Sequence, residues 1–232
     1  MNPISRILAS LKMRALSKRF KRGNYLDCYT KSTDIKASID SKMAIGGLWE
    51  EMGRHQFEFL KAHGLMPNHR FLDIGCGSLR GGLFFIDYLE DGNYTGFDLS
   101  SEVLSVGSQK VIDLGMQAKN PRLLLNSEKS LTFGFLNGSK FDCILAQSVF
   151  SHLKPNHIEE CFENLSKVMT EEARFFFTHH PGHEYRERSH TDFEYPKSYF
   201  EQLSDECGFT LVDLSAEYEH PRGQNMLMAK RR

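Results

Sequence analysis

The sequence predicts an α/β fold built on a mostly parallel, doubly wound sheet, with a helical extension at the N-terminus. From residue 70 onward, short apolar runs alternate with longer amphipathic stretches, which is typical of parallel strands joined by helices. Residues 143–146 and 175–177 are continuously apolar, as strands buried on both faces are. A strand, a glycine turn and a helix over residues 71–89 open the series.

Composition narrows the class of protein. The chain has 232 residues, 40% of them hydrophobic, which suits one globular domain with a sizeable core. Its net charge of −1 argues against a general nucleic-acid-binding surface, so we expect no specific nucleic-acid partner. The five cysteines are scattered without a C-x-x-C pair, which fits a reducing compartment rather than a disulfide framework or a zinc site. No run reaches the ~18 apolar residues of a membrane span.

Charge divides the chain into two parts. We predict a basic amphipathic extension at residues 1–30 and a single α/β domain at residues 31–232, of which residues 31–66 are a helical lead-in. Residues 1–24 hold seven basic residues and no acid. A basic amphipathic helix on an anionic membrane surface, a solvated extension and an organellar transit peptide all remain open. We expect a cytoplasmic protein, in peripheral membrane contact through residues 1–24 if the first interpretation holds.

The glycine turn is the first element that carries chemistry. Residues 71–82 read FLDIGCGSLRGG, an apolar strand that stops at Gly75, Cys76 and Gly77. Glycines let the backbone approach a ligand where a Cβ would clash. Asp73, at the mouth of the turn, would repel a pyrophosphate but suits a ligand that carries positive charge.

The second strand ends in another acid. Asp98 follows Gly75 by 23 residues, close to the spacing of about 20 for an acid that binds ribose hydroxyls. In a dinucleotide fingerprint the third glycine would fall at position 80, which is Arg80. The pattern therefore favours a nucleotide-like ligand other than a dinucleotide.

The remaining elements follow from apolar runs and turn residues. Strands are predicted at about residues 70–74, 94–98, 121–125, 141–146, 173–178, 209–214 and 225–230, and helices at about 81–90, 101–116, 156–169 and 197–207. No helix separates the last two strands, and their connection contains Pro221 and Gly223. A hairpin at this point makes the last strand antiparallel.

Together the two acids, the displaced glycine and the strand–turn–helix unit resemble the class I S-adenosylmethionine (SAM) methyltransferases. The resemblance runs from about residue 46 to the C-terminus. Longer runs such as residues 77–82 and 147–153 look like a bacterial subgroup that includes enzymes modifying glycans and small molecules. The resemblance implies a Rossmann-like, seven-stranded sheet with an antiparallel last strand, and SAM as the cofactor.

The resemblance also implies which residues contact SAM. They follow the first four strands: Asp73, Gly75, Cys76, Gly77, Asp98, Leu99, Asn126 and Gln147. Asp73 would hold the ammonium of the methionine part, and Asp98 both ribose hydroxyls. Asn126 stands where the family commonly has an acid for the adenine amine, and it accepts that hydrogen bond without a charge. Arg80 either pairs with the methionine carboxylate or is an exposed helix residue.

Histidines supply the candidate catalytic groups. Methyl transfer to a hydroxyl needs an aligned acceptor and removal of its proton. His152 is the leading candidate base, because imidazole titrates near neutrality, although a locally hydrogen-bonded, space-filling histidine is the alternative. His179, nearest the end of the fifth strand, is the second candidate.

Two segments are predicted to face the acceptor. The stretch after the fifth strand is read as a loop that contains His180 and His183, and the last hairpin carries Arg222. Either could instead be an ordinary solvated loop or turn. His179 and His183 are four residues apart, but the intervening Pro181 breaks any helix that would align them, so no metal site is predicted.

The predicted function is SAM-dependent methyl transfer to a polar acceptor, a hydroxyl of a glycan or small molecule. An Asn-Pro-Pro-Tyr type of segment, found in methyltransferases of nucleic-acid amino groups, is absent. A nicotinamide-dependent oxidoreductase is one alternative, disfavoured by Asp73, by Arg80 and by the lack of a Tyr-x-x-x-Lys pair. A non-catalytic scaffold that binds SAM is the other.

Overall fold

The computed structural model describes residues 24–39 and 49–232, which form six α-helices and nine strands. The helices are α1 Tyr25–Ile39, α2 Trp49–Ala62, α3 Gly82–Tyr88, α4 Ser101–Asp113, α5 Pro155–Leu165 and α6 Lys197–Glu206. The strands are β1 Phe71–Ile74, β2 Tyr94–Asp98, β3 Arg122–Leu125, β4 Phe141–Ala146, β5 Met169–Pro181, β6 Arg186–Ser189, β7 Asp192–Tyr195, β8 Phe209–Asp213 and β9 Asn225–Arg231. The basic segment to which the membrane interpretation belongs lies outside the described residues.

The main sheet has the predicted topology. Strands β3, β2, β1, β4 and β5 lie side by side and parallel. Strand β9 pairs antiparallel with β5 and with β8. The Rossmann-like sheet with an antiparallel last strand is therefore confirmed, and all seven predicted strands are present. Chain order reverses at β1, between β2 and β4, so this is the switch point where ligands of doubly wound sheets bind.

The apolar run of β5 packs against both layers of helices. Phe175 and Phe177 face one hydrophobic cluster with Phe162 of α5, while Phe176 faces the other with Phe59 of α2. Successive side chains of a strand point to opposite faces, so three consecutive phenylalanines require two buried faces. Packing on both sides fixes the carboxyl end of β5, where the site lies.

The stretch after the fifth predicted strand is not the loop that the sequence suggested. Strand β5 continues to Pro181, and β6 and β7 form an antiparallel hairpin. Strand β7 also pairs in parallel with the end of β5, His180 with Glu194 and Pro181 with Tyr195. Phe193 and Tyr195 are fully buried, and this burial stabilises a hairpin whose other strand is exposed and charged.

Helix α1 is hydrogen-bonded to residues that follow β2 and β4, beyond the carboxyl ends of these strands. Ser100 Oγ donates to Asp34 Oδ1 at 2.5 Å, and Tyr25 Oη accepts from the amide of Lys154 at 3.0 Å. The predicted domain boundary between residues 30 and 31 falls inside this helix. None of the described helices is long and apolar enough to cross a membrane.

Candidate active site at the carboxyl ends of the strands

A cavity of about 380 Å³ lies between the carboxyl ends of the parallel strands, α1 and the last hairpin. A smaller cavity of about 90 Å³ adjoins it. The two share six lining residues: Tyr29, Gly75, Asp98, Gln147, Ser148 and His152. One elongated ligand could therefore extend through both.

The glycine turn brings backbone to the wall of both cavities. Gly75 and Gly77 have φ values of +68° and +56°, in the left-handed region that favours glycine. A Cβ on Gly75 would lie 2.7 Å from Val149 Cγ2. The Cys76 side chain turns inward, where a Cβ on Gly96 would lie 2.9 Å from its Sγ. Cys76 therefore offers its backbone to the cavity.

Asp98 is held by two backbone amides. The Gly77 N–H donates to Oδ2 at 3.0 Å, and the Ser100 N–H donates to Oδ1 at 2.9 Å. Burial raises the pKa of Asp98, and these hydrogen bonds oppose the rise. The carboxylate lines both cavities with a fixed orientation, as recognition of two adjacent hydroxyls requires.

Asp73 is a buried carboxyl at the larger cavity. Tyr94 Oη donates to its Oδ2 at 2.8 Å, and the side chain is 6% exposed. Burial raises the pKa of Asp73 to about 7, against the opposing effect of Tyr94. A cationic group bound beside it would favour the ionised form.

The smaller cavity has apolar walls and one unused acceptor. Leu99, Leu131 and Val149 contribute apolar surface. Asn126 is buried, and its Nδ2 donates to Ser130 O at 2.9 Å. Its Oδ1 has no hydrogen-bond partner among the residues that the structure describes. A planar ring that carries an amine would satisfy this oxygen, since a buried acceptor is costly without a donor.

A polar network ties the last hairpin to the end of β4. Gln224 Oε1 accepts from Ser148 Oγ at 2.9 Å and from Thr178 Oγ1 at 2.7 Å. Tyr218 Oη donates to Gln147 Oε1 at 2.9 Å. Gln147 thus lies between the hairpin and both cavities, where the sequence placed a SAM contact.

His152 lies at the junction of the two cavities. Its Nδ1 is 2.5 Å from Thr191 O. A carbonyl oxygen only accepts, so Nδ1 carries the hydrogen and Nε2 is the basic nitrogen of the neutral ring. The ring of Tyr29 packs against it with centroids 5.1 Å apart. This is the tautomer that a proton acceptor at Nε2 requires.

The other predicted histidines are separated by the alternation of β5. His179 is fully buried, packs on Phe200 with ring centroids 4.7 Å apart and does not line either cavity. Burial lowers the pKa of His179 to about 4. Its position does not support the predicted role as a base. His180 points the other way, lines the larger cavity and lies 3.3 Å from Asp192 Oδ1.

His183 does not reach the central cavities either. It is exposed and lines a separate surface groove with Arg186 and Glu194 of the β6–β7 hairpin. The predicted contact with the acceptor is therefore not supported for this residue. In the described part of the chain, no cluster of three or more His, Cys, Asp or Glu side chains is arranged to hold a metal ion.

Part of the chain that builds this site matches a known protein family. The sequence of residues 72–175 matches the family described as a methyltransferase domain. The match runs from β1 into β5, so this part of the chain belongs to a methyltransferase domain. With the sheet topology, this match confirms the prediction of a class I, SAM-dependent methyltransferase.

Solved structures share the fold of this methyltransferase domain. A SAM-dependent methyltransferase from Clostridium acetobutylicum is similar at 15% identity and a TM-score of 0.62, over 88% of this chain and 99% of that one. Magnesium protoporphyrin IX methyltransferase from Synechocystis, solved with bound SAM, is 16% identical at a TM-score of 0.59, over 78% and 81% of the chains. The glycopeptide N-methyltransferase MtfA is 10% identical at a TM-score of 0.61, over 80% and 92%.

Several residues that line the candidate site were not predicted from the sequence. Tyr29 of α1, Gln56 of α2 and Asp192 of the β6–β7 hairpin line the larger cavity, and Tyr94 bonds Asp73. Gln56 lies in the stretch from about residue 46 onward over which the family resemblance runs, so that resemblance could have indicated it. The other three lack a signal in the sequence, since folding brings them to the site from distant elements.

Replacement of Gly75 by alanine tests the turn. We expect SAM affinity to fall at least about tenfold, because the new Cβ would meet Val149 and strain a left-handed residue by about 1–2 kcal/mol. Isothermal titration with SAM and thermal unfolding measure the two effects. Gly92→Ala is the matched control, since its φ is +80° but no atom lies within 4 Å of the added Cβ. Equal SAM affinity in the two variants would contradict the assignment of the turn.

The pH dependence of SAM affinity tests Asp73. Its folded-state pKa of about 7 exceeds the ordinary value of 3.8, so the carboxyl is protonated below pH 7 and must lose that proton to bind an ammonium. We expect SAM affinity to fall as the pH drops below about 7, approaching tenfold per pH unit. Titrations with SAM across this range measure the slope.

The Asp73→Asn variant is the control for that slope, and its affinity should be lower and independent of pH in the same window. The free protein gives a second measurement. Its native state holds the extra proton between pH 3.8 and about 7, so its free energy of unfolding should decrease as the pH rises through this window, and less so in the variant. A slope of SAM affinity that survives in Asp73→Asn would remove Asp73 as its origin.

Proposed function

We propose that this methyltransferase domain transfers the methyl group of SAM to a hydroxyl of a polar acceptor, a glycan or a small molecule. One observation carries the proposal. His152 has the tautomer of a proton acceptor and lines both the apolar cavity and the larger polar one. A base at that junction is needed for a hydroxyl acceptor, whose proton must leave.

The donor would extend across both cavities. Asn126 Oδ1 would accept from the adenine amine, with Leu99 against the ring. Asp98 would accept from both ribose hydroxyls. Asp73 would hold the ammonium, near the backbone of Gly75. The residues fit the cofactor because Asn126 Oδ1 has no donor among the described residues, and the buried Asp73 carboxyl accepts from the neutral Tyr94 hydroxyl and lines the larger cavity, where SAM would supply a cation.

The acceptor would occupy the rest of the larger cavity. Its wall there is polar and comes from five separate parts of the fold: Ser32, Thr33, Gln56, His180, Thr191, Asp192, Arg222 and Gln224. Such a wall offers many hydrogen bonds and little flat apolar surface. It therefore suits a hydroxyl-rich molecule better than an aromatic one.

The reaction is an in-line displacement. Bound SAM supplies a methyl group on a sulfonium, a good leaving group. His152 would take the acceptor's hydroxyl proton at Nε2 as the oxygen–carbon bond forms and the carbon–sulfur bond breaks, which yields the methyl ether and S-adenosylhomocysteine. The Thr191 carbonyl keeps the ring oriented and stabilises the imidazolium through Nδ1–H. The walls of the cavity hold the acceptor oxygen on the side opposite sulfur.

Label transfer tests the proposal. The protein is incubated with SAM that carries a tritiated methyl group and with two matched panels, sugars and polyols against amino sugars and simple amines. We expect label in alkali-stable methyl ethers from the hydroxyl panel. Label found only in amines would show that the acceptor atom is nitrogen and not a hydroxyl oxygen. SAM binding without transfer to either panel would favour the non-catalytic scaffold, and binding of NADH in preference to SAM would favour the oxidoreductase.

A further inference from the structure

One cation at the acceptor side of the larger cavity has no counterion among the residues that the structure describes. Arg222 lines this cavity and reaches solvent. Among the ion pairs of the described residues, Arg222 takes part in none, whereas Arg186, Arg188 and Arg232 all do. A guanidinium that lies beside a ligand cavity and has no carboxylate partner can bind an oxyanion in a bidentate manner.

The carboxylates that line the cavity are already engaged. Asp73 accepts from Tyr94, and Asp98 accepts from two backbone amides. Asp192 lies 3.3 Å from His180 Nε2 and 3.8 Å from Arg188 Nε. None of them is paired with Arg222, so no direct ion pair with these carboxylates neutralises the Arg222 guanidinium.

The position of Arg222 is built by its neighbours in the chain. Its own N–H donates to His220 Nδ1 at 3.0 Å, and His220 is 8% exposed. Two residues further on, Gln224 is 5% exposed and bonded to Ser148 and Thr178. Buried anchors on both sides hold the backbone of Arg222, so the side chain projects from a fixed point.

The surroundings of Arg222 offer further donors. Arg80 lines the same cavity as Arg222, and burial and then the charge of Arg222 lower the pKa of Arg80 to about 10. Gln56 also lines the cavity, is 4% exposed, and its Nε2 has no hydrogen-bond partner among the described residues. Two cations and an amide N–H together favour an anion.

We infer that Arg222 binds an anionic group of the acceptor, a carboxylate or a phosphate, beside the methyl donor. The inference rests on the proposed acceptor site and names its substrate class: a hydroxyl compound that also carries an acid. SAM brings a single carboxylate, which Arg80, in the turn that follows Gly75, is placed to bind. Arg222 comes from the connection between β8 and β9, also lines the cavity and remains for the second anion.

Binding to the complex with S-adenosylhomocysteine tests this inference. That ligand already fills the donor site with its own carboxylate, so any further anion must use another subsite. The probes are two matched pairs, galacturonate with its methyl ester and glucose 6-phosphate with glucose, followed by ligand-observed NMR titration. We expect the anionic member of a pair to bind about tenfold more tightly than the neutral one, and Arg222→Gln to abolish that difference while the affinity for S-adenosylhomocysteine stays within about twofold.

Arg54→Gln is the matched control, because Arg54 packs on Phe84 and does not line the cavity. It should behave as the wild type does. Equal binding of charged and neutral members to the wild-type complex, or binding of neither, would overturn the inference. So would an Arg222→Gln variant that loses S-adenosylhomocysteine but keeps the preference for the acid, since Arg222 would then hold the methionine carboxylate. This experiment measures binding, so its outcome does not depend on whether the protein transfers a methyl group to a hydroxyl.

Discussion

Asp98→Ala is expected to lose SAM binding almost completely, with an affinity at least about a hundredfold below that of the wild type. The variant would remove the two charge-assisted hydrogen bonds that we propose Asp98 makes to the ribose hydroxyls, each worth about 1.5–3 kcal/mol. It also leaves two backbone amides without their acceptor, that of Gly77 in the turn and that of Ser100 just before α4. Isothermal titration with SAM measures the loss, and thermal unfolding shows whether the fold survives.

Two further variants separate recognition from folding. Asp98→Asn keeps one acceptor oxygen for a backbone amide and should lose about tenfold in affinity with little change in unfolding temperature. Asp113→Ala removes an exposed carboxylate at the end of α4, which accepts from Gln109 and does not line a cavity, and it should bind SAM normally. If Asp98→Ala folds and binds SAM as the wild type does, the ribose assignment fails.

His152→Gln is expected to lower kcat by about 10²–10⁴, the usual range for general acid–base groups. Glutamine can still donate to Thr191 O but cannot accept a proton at neutral pH, so the binding of S-adenosylhomocysteine should stay within about threefold. Steady-state rates with an acceptor from the hydroxyl panel give kcat, and titration gives affinity. Because only a neutral imidazole accepts a proton, the acid limb of the kcat–pH profile should also disappear.

His190→Gln is the matched control for that loss. His190 belongs to the same β6–β7 hairpin region, is exposed and does not line either cavity, so its substitution should leave kcat and the pH profile unchanged. Full turnover by His152→Gln would show that methyl transfer needs only positioning. The assignment to the methyltransferases would stand in that case, and His152 would be a structural residue.

The donor half of the site was predictable because its residues follow one another along short segments. The strand, turn and helix from Phe71 to Tyr88 place Asp73 and Gly75 by local geometry alone. Asp98 ends the next strand in the chain, which pairs in register with β1. In a parallel sheet, strand ends that are close in sequence are also close in space, so spacing in the chain predicts position.

The acceptor half was only partly predictable. His179 and His180 are adjacent in sequence, but strand alternation sends one into the core and the other to the cavity. The sequence does not show that β5 continues through them, because its continuation depends on pairing with β7. The orientation of the His152 ring likewise depends on Thr191, 39 residues away.

By itself, the sequence determined the fold class and the methyl donor and predicted the acids proposed to face it, because a glycine turn at a strand end imposes the same backbone approach wherever it occurs. Only the tertiary structure decided which side chains line the cavity proposed for the acceptor. Tyr29 and Gln56, which the sequence did not indicate, come from two separate helices and meet the predicted His180 and Arg222 only after packing. Their convergence depends on contacts between residues far apart in the chain, which no local pattern records.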